Sequence, residues 1–158
     1  MSGMFSGCDN EKLTTLDLGG FDTSSVTDMS NMFNGCRWLT ELDLQNFDTS
    51  NVTDMQSMFS YCRRIKSLEL SSFDTSNVTN MHSMFEMCNM IPSLEISHFD
   101  TSKVIDMSFM FYKCGYLKTM DVTQFNVSNV KNTKDMFFGC DKLPPDYKKI
   151  GGKHIWSS

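Results

Sequence analysis

The chain has 158 residues and a formal net charge of −5, from 14 lysines and arginines against 19 aspartates and glutamates. No basic stripe runs with its aromatic residues, which argues against a nucleic-acid partner. No apolar run is long enough to span a membrane, so no transmembrane segment is expected.

A fixed period governs almost everything else. Phe21, Phe47, Phe73, Phe99 and Phe125 lie 26 residues apart, and so do Cys36, Cys62, Cys88, Cys114 and Cys140. The skeleton reads C-x-x-L-x-x-L-x-L-x-x-F-D-T-S-x-V-x-x-M-x-x-M-F-x-x. Only the interval from Cys8 to Cys36 is longer, by two residues that fall between Asp9 and Lys12. A repeat of this length predicts a solenoid, in which each coil buries a wedge against its neighbours and length insertions lie in loops.

In chain order, the opening Met1-Ser-Gly-Met4-Phe5-Ser-Gly-Cys8 matches the last third of a unit. The chain therefore starts inside the pattern, with no basic segment and apolar core of a secretory leader, and reads as a fragment or as a short relative of longer proteins. Within a unit, Glu41-Leu42-Asp43-Leu44 alternates with period two and predicts a short strand, stacked about 4.8 Å from its equivalents in a parallel sheet. Phe47-Asp48-Thr49-Ser50-Asn51 predicts a tight corner, because Asp, Thr, Ser and Asn bond readily to their own backbone. Asp54-Met55-Gln56-Ser57-Met58-Phe59 spaces its apolar residues by three and four and predicts a helical turn or two. Leu143 is followed by Pro144 and Pro145, which cannot donate to a ladder, so the repeat is placed at 1–143. Residues 144–158, with Tyr147, Ile150 and Trp156, are read as a C-terminal cap or tail. The expected architecture is an α/β solenoid of five to six coils, with a parallel β-sheet on one side and short helices or 3₁₀ turns on the other.

L-x-x-L-x-L followed by V-x-x-M-x-x-M-F-x-x-C resembles the leucine-rich repeats of BspA-like bacterial surface proteins. More narrowly, the F-D-T-S-N-V-T-D-M motif from Phe47 to Met55, with M-F following at Met58 and Phe59, resembles the repeat of unknown function of mycoplasma-type lipoproteins and related surface proteins. The resemblance implies a leucine-rich-repeat type of solenoid in a cell-surface or secreted protein that adheres to host molecules or other cells. It spans about residues 1–143 and names no ligand. The last unit departs from the pattern, with Met120 and Val122 for leucines, Asn126-Val127 for Asp-Thr and Thr133 for the first Met.

Three acidic columns run through the repeat. Asp17, Asp43, Glu69, Glu95 and Asp121 sit between inward strand positions, so they point out; Glu41 and Gln45 flank the column. Stacked carboxylates about 5 Å apart repel by roughly 3 kcal/mol at an effective dielectric of 20. One reading is that they solvate the sheet; the other is that this face binds a basic protein surface or a hydroxylated glycan. Asp22, Asp48, Asp74, Asp100 and Asn126 read as corner residues, and Asp28, Asp54, Asn80, Asp106 and Asn132 as caps of the following turn. No D-x-D-x-D-G loop offers a calcium site.

The six cysteines hold one position per coil, so their Cβ vectors run side by side rather than toward one another, which predicts buried reduced thiols. The absence of C-x-x-C spacing gives zinc no footing, and no metal or other cofactor is expected. Met29, Met55, Met81 and Met107, with Met32, Met58, Met84 and Met110, are in phase with the core. Trp38, Tyr61, Met87, Met90, Phe109, Tyr112 and Tyr116 lie outside the skeleton and read either as scattered surface apolar groups or as a partner-binding patch. Thr23, Thr49, Thr75 and Thr101 form a hydroxyl column of the kind that flat ice-binding solenoids expose.

Residues 1–102 carry 5 basic and 14 acidic side chains, a net of −9, while 103–158 carry 9 and 5, a net of +4, a polarity that favours end-to-end self-association. His82, His98 and His154 occupy unrelated repeat positions and no nucleophile motif or phosphate loop occurs, so the chain is read as a non-enzyme. The sequons at Asn51, Asn77 and Asn126 are read as corner residues. The expectation is a non-catalytic binding or adhesion module with an extracellular protein or glycan partner; the alternative is a structural stalk of a larger surface protein.

Overall fold

The computed structural model describes residues 1–144, Tyr147 and the backbone of 149–150 and 153–154. Successive 26-residue units lie in parallel register, joined by bridges between Asp28 and Asp54, Asp54 and Asn80, Asn80 and Asp106, and Asp106 and Asn132. The N–H groups of Met29, Asn31, Phe33 and Gly35 donate to the carbonyls of Asp54, Gln56, Met58 and Ser60 in the next unit, at 2.8–3.0 Å. The N–H groups between them, on Met32, Asn34 and Cys36, bond back three residues to Met29, Asn31 and Phe33. The ribbons beginning at Met55, Met81 and Met107 repeat the scheme, and the last ribbon, from Thr133, keeps the bonds within its own turns.

The helical turn expected over Asp54–Phe59 is therefore a ribbon of consecutive turns, with no α-helix among the described residues. A helix would spend these N–H groups on carbonyls four residues back and leave none to join the units. The ribbon instead alternates its donors between its own turn and its neighbour. The apolar spacing of three and four is common to both arrangements. What breaks the helix is a left-handed residue at two fixed places per unit. Asn31, Ser57, Ser83, Phe109 and Asp135 have φ of 51–58° at one of them; Gly35, Tyr61, Met87, Lys113 and Gly139 have φ of 56–78° at the other. Non-glycine residues pay about 1 kcal/mol or more for this geometry, so the neighbouring bonds must hold it.

The strand over Glu41–Leu44 and its equivalents keeps its alternation, with Leu42 and Leu44 buried and Glu41, Asp43 and Gln45 exposed, but pairs little. Only β1 (Ser93–Leu94) and β2 (Thr119–Met120) form a parallel pair, with Ser93 opposite Thr119 and Leu94 opposite Met120. Elsewhere the contact thins to a single bond per unit, such as Thr40 N–H to the Thr14 carbonyl at 2.9 Å and Lys66 N–H to Thr40 at 3.4 Å. The cause is local. The N–H groups of Gly19, Gln45, Ser71 and Thr123 are captured by Asp17, Asp43, Glu69 and Asp121 two residues earlier, at 2.9–3.1 Å, which removes them from any ladder. Beyond residue 143, β3 (Lys149–Ile150) pairs antiparallel with β4 (Lys153–His154); the cap reading of Trp156 falls outside the described residues.

Inside the stack, Phe5, Phe33, Phe59, Phe85, Phe111 and Phe137 form one column with centroids 5.2–5.8 Å apart and planes within 10° of parallel. The in-phase methionines from Met29 to Met110 are fully buried around them. Cys36, Cys62, Cys88, Cys114 and Cys140 are free thiols whose Sγ groups donate to the carbonyls of Phe5, Phe33, Phe59, Phe85 and Phe111 at 2.9–3.1 Å. Burial pushes the Cys36 and Cys88 thiols up to about 12, so they stay protonated.

The threonine column is inside rather than on the surface, only 1–2% exposed, which removes the ice-binding reading. Thr23, Thr49, Thr75 and Thr101 donate to the carbonyls of Asp48, Asp74, Asp100 and Asn126 in the next unit, at 2.9–3.1 Å. At the same corner Asp22, Asp48, Asp74 and Asp100 accept the N–H of Ser24, Ser50, Ser76 and Ser102 at 2.8–3.0 Å. Bonds from these serines hold the four carboxyls below their ordinary 3.8.

Three outcomes follow from this packing. Phe85→Ala, in the middle of the column, should cost about 3–5 kcal/mol in urea or thermal unfolding. Because the corner carboxyls titrate lower when folded than when unfolded, their contribution is complete above pH 3.8 and is lost as pH falls through the lower folded values; melts between pH 5 and 2 should show the decline there, and D48N/D74N should flatten it. A thiol reagent should leave Cys62, Cys88 and Cys114 unmodified in the native protein and modify all six cysteines after denaturation.

Candidate functional site

The acidic column is exposed along its length: Asp17, Asp43, Glu69, Glu95 and Asp121 occupy one line, one per unit, with Glu41 and Gln45 beside it. Four of the five are already occupied by the turn that follows them, as described above. Hydrogen bonds from Ser71 and Thr123 keep the Glu69 and Asp121 carboxyls below their ordinary values. Their second oxygens remain available, as do both oxygens of Glu95 and Glu41, which accept no hydrogen bond among the described residues. The face presents a row of acceptors whose backbone attachment fixes their direction.

The third acidic column is different. Asp28, Asp54, Asn80, Asp106 and Asn132 each accept the N–H two residues on, at 2.7–3.2 Å. The alternation of Asp and Asn also joins units, because Asn80 donates to Asp54 at 3.3 Å and Asn132 to Asp106 at 3.1 Å. Asn51, Asn77 and Asn129 clamp the units in another line by donating to the carbonyls of Ser24, Ser50 and Ser102 at 2.7–2.8 Å.

An open groove of about 540 Å³ lies over this third column, lined by Asp54, Gln56, Thr79, Asn80, His82, Ile105 and Asp106. His82 Nδ1 is 2.7 Å from Ser108 Oγ, which donates to Asp106 Oδ1 at 2.5 Å, while Ser83 Oγ lies 3.2 Å from His82 Nε2. Both hydroxyls are buried, so this chain of bonds ties adjacent units rather than offering an oxygen to a substrate. Among the described residues no group of three or more His, Cys, Asp and Glu side chains is placed to hold a metal ion.

The apolar residues outside the skeleton differ in exposure and in partners. Trp38 and Tyr61 are half-buried and carry arginines on their rings, with Arg64 4.1 Å from the Trp38 centroid and Arg63 5.4 Å from that of Tyr61. Phe109 and Tyr112 pack edge to face at 5.5 Å, and Tyr112 stacks on Phe138 at 5.4 Å. Met87 is half-buried and Met90 partly exposed, whereas Tyr116 is 55% exposed. Sequence reasoning missed Phe138, which at 58% exposed is the most open large apolar side chain described. The signal was its place in the Asn34, Ser60, Glu86, Tyr112 column, where the character turns aromatic toward the C-terminal end.

Also missed was a second open groove of about 470 Å³, lined by Asp9, Glu11, Arg37, Trp38, Arg63 and Arg64. Arg37 meets Asp9 at 3.4 Å, both about half exposed. Among the described residues the Arg63 and Arg64 side chains make no hydrogen bond or ion pair; Arg64 lies against the Trp38 ring and Arg63 is within cation–π reach of Tyr61.

Among the described residues no helix is long and apolar enough to cross a membrane. No curated protein and no solved structure matches the chain. The family described as "Mycoplasma protein of unknown function, DUF285" matches residues 1–93 and again 66–155, overlapping within the repeat. Either match takes in more than half of the sequence, and the chain therefore belongs to this DUF285 family.

Proposed function

We propose that the chain is a non-catalytic binding module of a cell-surface or secreted protein, built as a solenoid of leucine-rich-repeat type related to BspA-like repeats, and that its outer surface engages an extracellular protein or glycan. The parallel register between units and the single shared interior support the solenoid reading. One observation carries the functional reading. Interior positions barely change from unit to unit, yet exposed and half-exposed positions at the same height differ freely: Trp38, Arg64, Met90, Tyr116 and Lys142 share one column. A scaffold held constant beneath a varied surface is what recognition requires, and both grooves are open to solvent.

The stalk reading keeps one observation in its favour. Most carboxylates of the acidic column already close turns, so their presence in each unit follows from folding without any ligand.

Binding of the purified chain to a panel of matrix proteins and glycans at physiological salt separates the two. Saturable binding that weakens about tenfold or more in D43K/E69K/E95K is expected. Binding that survives the triple reversal would remove the acidic face from the surface used, and absence of binding by either protein would leave the stalk.

A further inference from the structure

The chain has three arginines, and all three line the groove beside Trp38, within residues 1–102, whose net charge is −9. Arg37 is neutralised by Asp9 at 3.4 Å. Arg63 and Arg64 are not neutralised. Arg64 occupies in its unit the position of Trp38 in the preceding one, which is why its guanidinium comes to rest on the indole at 4.1 Å. Arg63 lies 5.4 Å from the Tyr61 ring centroid. The Arg64 guanidinium lies against the indole and Arg63 is within cation–π reach of Tyr61, while neither makes an ion pair or side-chain hydrogen bond among the described residues; two such open forks of donors side by side are the arrangement that takes an oxyanion through parallel bonds.

We propose that this groove binds a sugar ring bearing a single carboxylate or sulfate. The charge count favours one anionic group, because three arginines against Asp9 and Glu11 leave a net of +1. Glu11 and the free edge of Asp9 are acceptors suited to ring hydroxyls, and Trp38 gives the wall an aromatic surface against which the C–H face of a sugar packs. The volume, about 470 Å³, is in the range of small-ligand sites. An acidic peptide or a densely charged polyanion fits less well, since each further negative charge meets Asp9, Glu11 and the acidic units around them. The assignment rests on the binding-module reading but uses none of the residues of the acidic column, so the two fail separately.

Titration of the ¹⁵N-labelled full chain with sialyllactose, sulfated lactose, unmodified lactose and acetylated triaspartate tests the proposal. The Trp38 indole, the backbone amides of Arg37, Trp38, Arg63 and Arg64, and the arginine Nε signals should shift saturably with sialyllactose, with sulfated lactose or with both; the stronger of the two identifies the anion. R63Q/R64Q should raise that dissociation constant about tenfold or more while keeping a cooperative melt. R63K/R64K, which retains the charge but not the fork, should weaken binding nearly as much. D43K/E69K/E95K, which removes nearby negative charge, should not weaken it. Equal shifts with unmodified lactose, tighter binding of triaspartate, full affinity in R63Q/R64Q, or no shift with either charged sugar would each overturn the assignment.

Discussion

Everything in the stack depends on the backbone bonds that alternate residues of the Met-x-x-Met-Phe ribbon send to the next unit. Met29, Asn31, Phe33 and Gly35 donate forward, and the residues between them donate back into their own turn. That division works only if the chain takes a left-handed residue at two points per unit, and it does so at the same two points each time. Once made, it fixes the vertical distance between units, and with it the stacking of the phenylalanine rings on one side and the seating of the thiols on the other. With no α-helix and no wide sheet among the described residues, the order of the stack comes from this one repeated ribbon.

The polar columns complete the same task. A threonine hydroxyl, an asparagine amide, a cysteine thiol and an Asp–Asn pair each join one unit to the next, while the acidic side chains at the corners close turns within a unit. No buried side-chain nitrogen or oxygen among the described residues is left without a partner. Polar groups satisfied in this way add direction to a core whose apolar contacts alone would tolerate slippage by a residue or by a unit. The consequence for function is a subtraction. Most polar residues that recur in each unit have a structural task, so recurrence by itself does not mark a binding residue here.

How far the sequence shows this varies with the kind of contact. The phase of Phe, Cys and Met along the period of 26 places the interior, and the Asp-x-Ser spacing places the corners, because both depend on residues close in the chain or identical in phase. The ribbon is not legible as such: Met55, Met58 and Phe59 have the spacing of a helix face, and only the direction of the N–H groups tells the two apart. The weak pairing around Asp43 is hidden because the same carboxylate that looks like a surface charge takes the N–H of Gln45. Thr49 reads as an exposed hydroxyl until its partner, the carbonyl of Asp74 in the following unit, is seen. The arginine groove was hidden in a different way: Trp38 stands out from the repeat as an apolar residue, but its neighbour one unit on, Arg64, is unlike it in type, and only the stacking of units brings the two together.

That last case bears on where recognition can reside in such a chain. A column that must clamp its neighbour cannot change without loosening the stack, and the threonine and cysteine columns scarcely change. A column that faces solvent is released from this requirement, so its residues can differ from unit to unit and bring unlike groups within contact of each other one unit apart. Arg64 on Trp38 and Phe138 on Tyr112 arise in this way, from a difference between neighbouring units rather than from their likeness. Specific chemistry on a repeated scaffold is thus found where the repeat is broken at the surface, while the unbroken columns account for its shape.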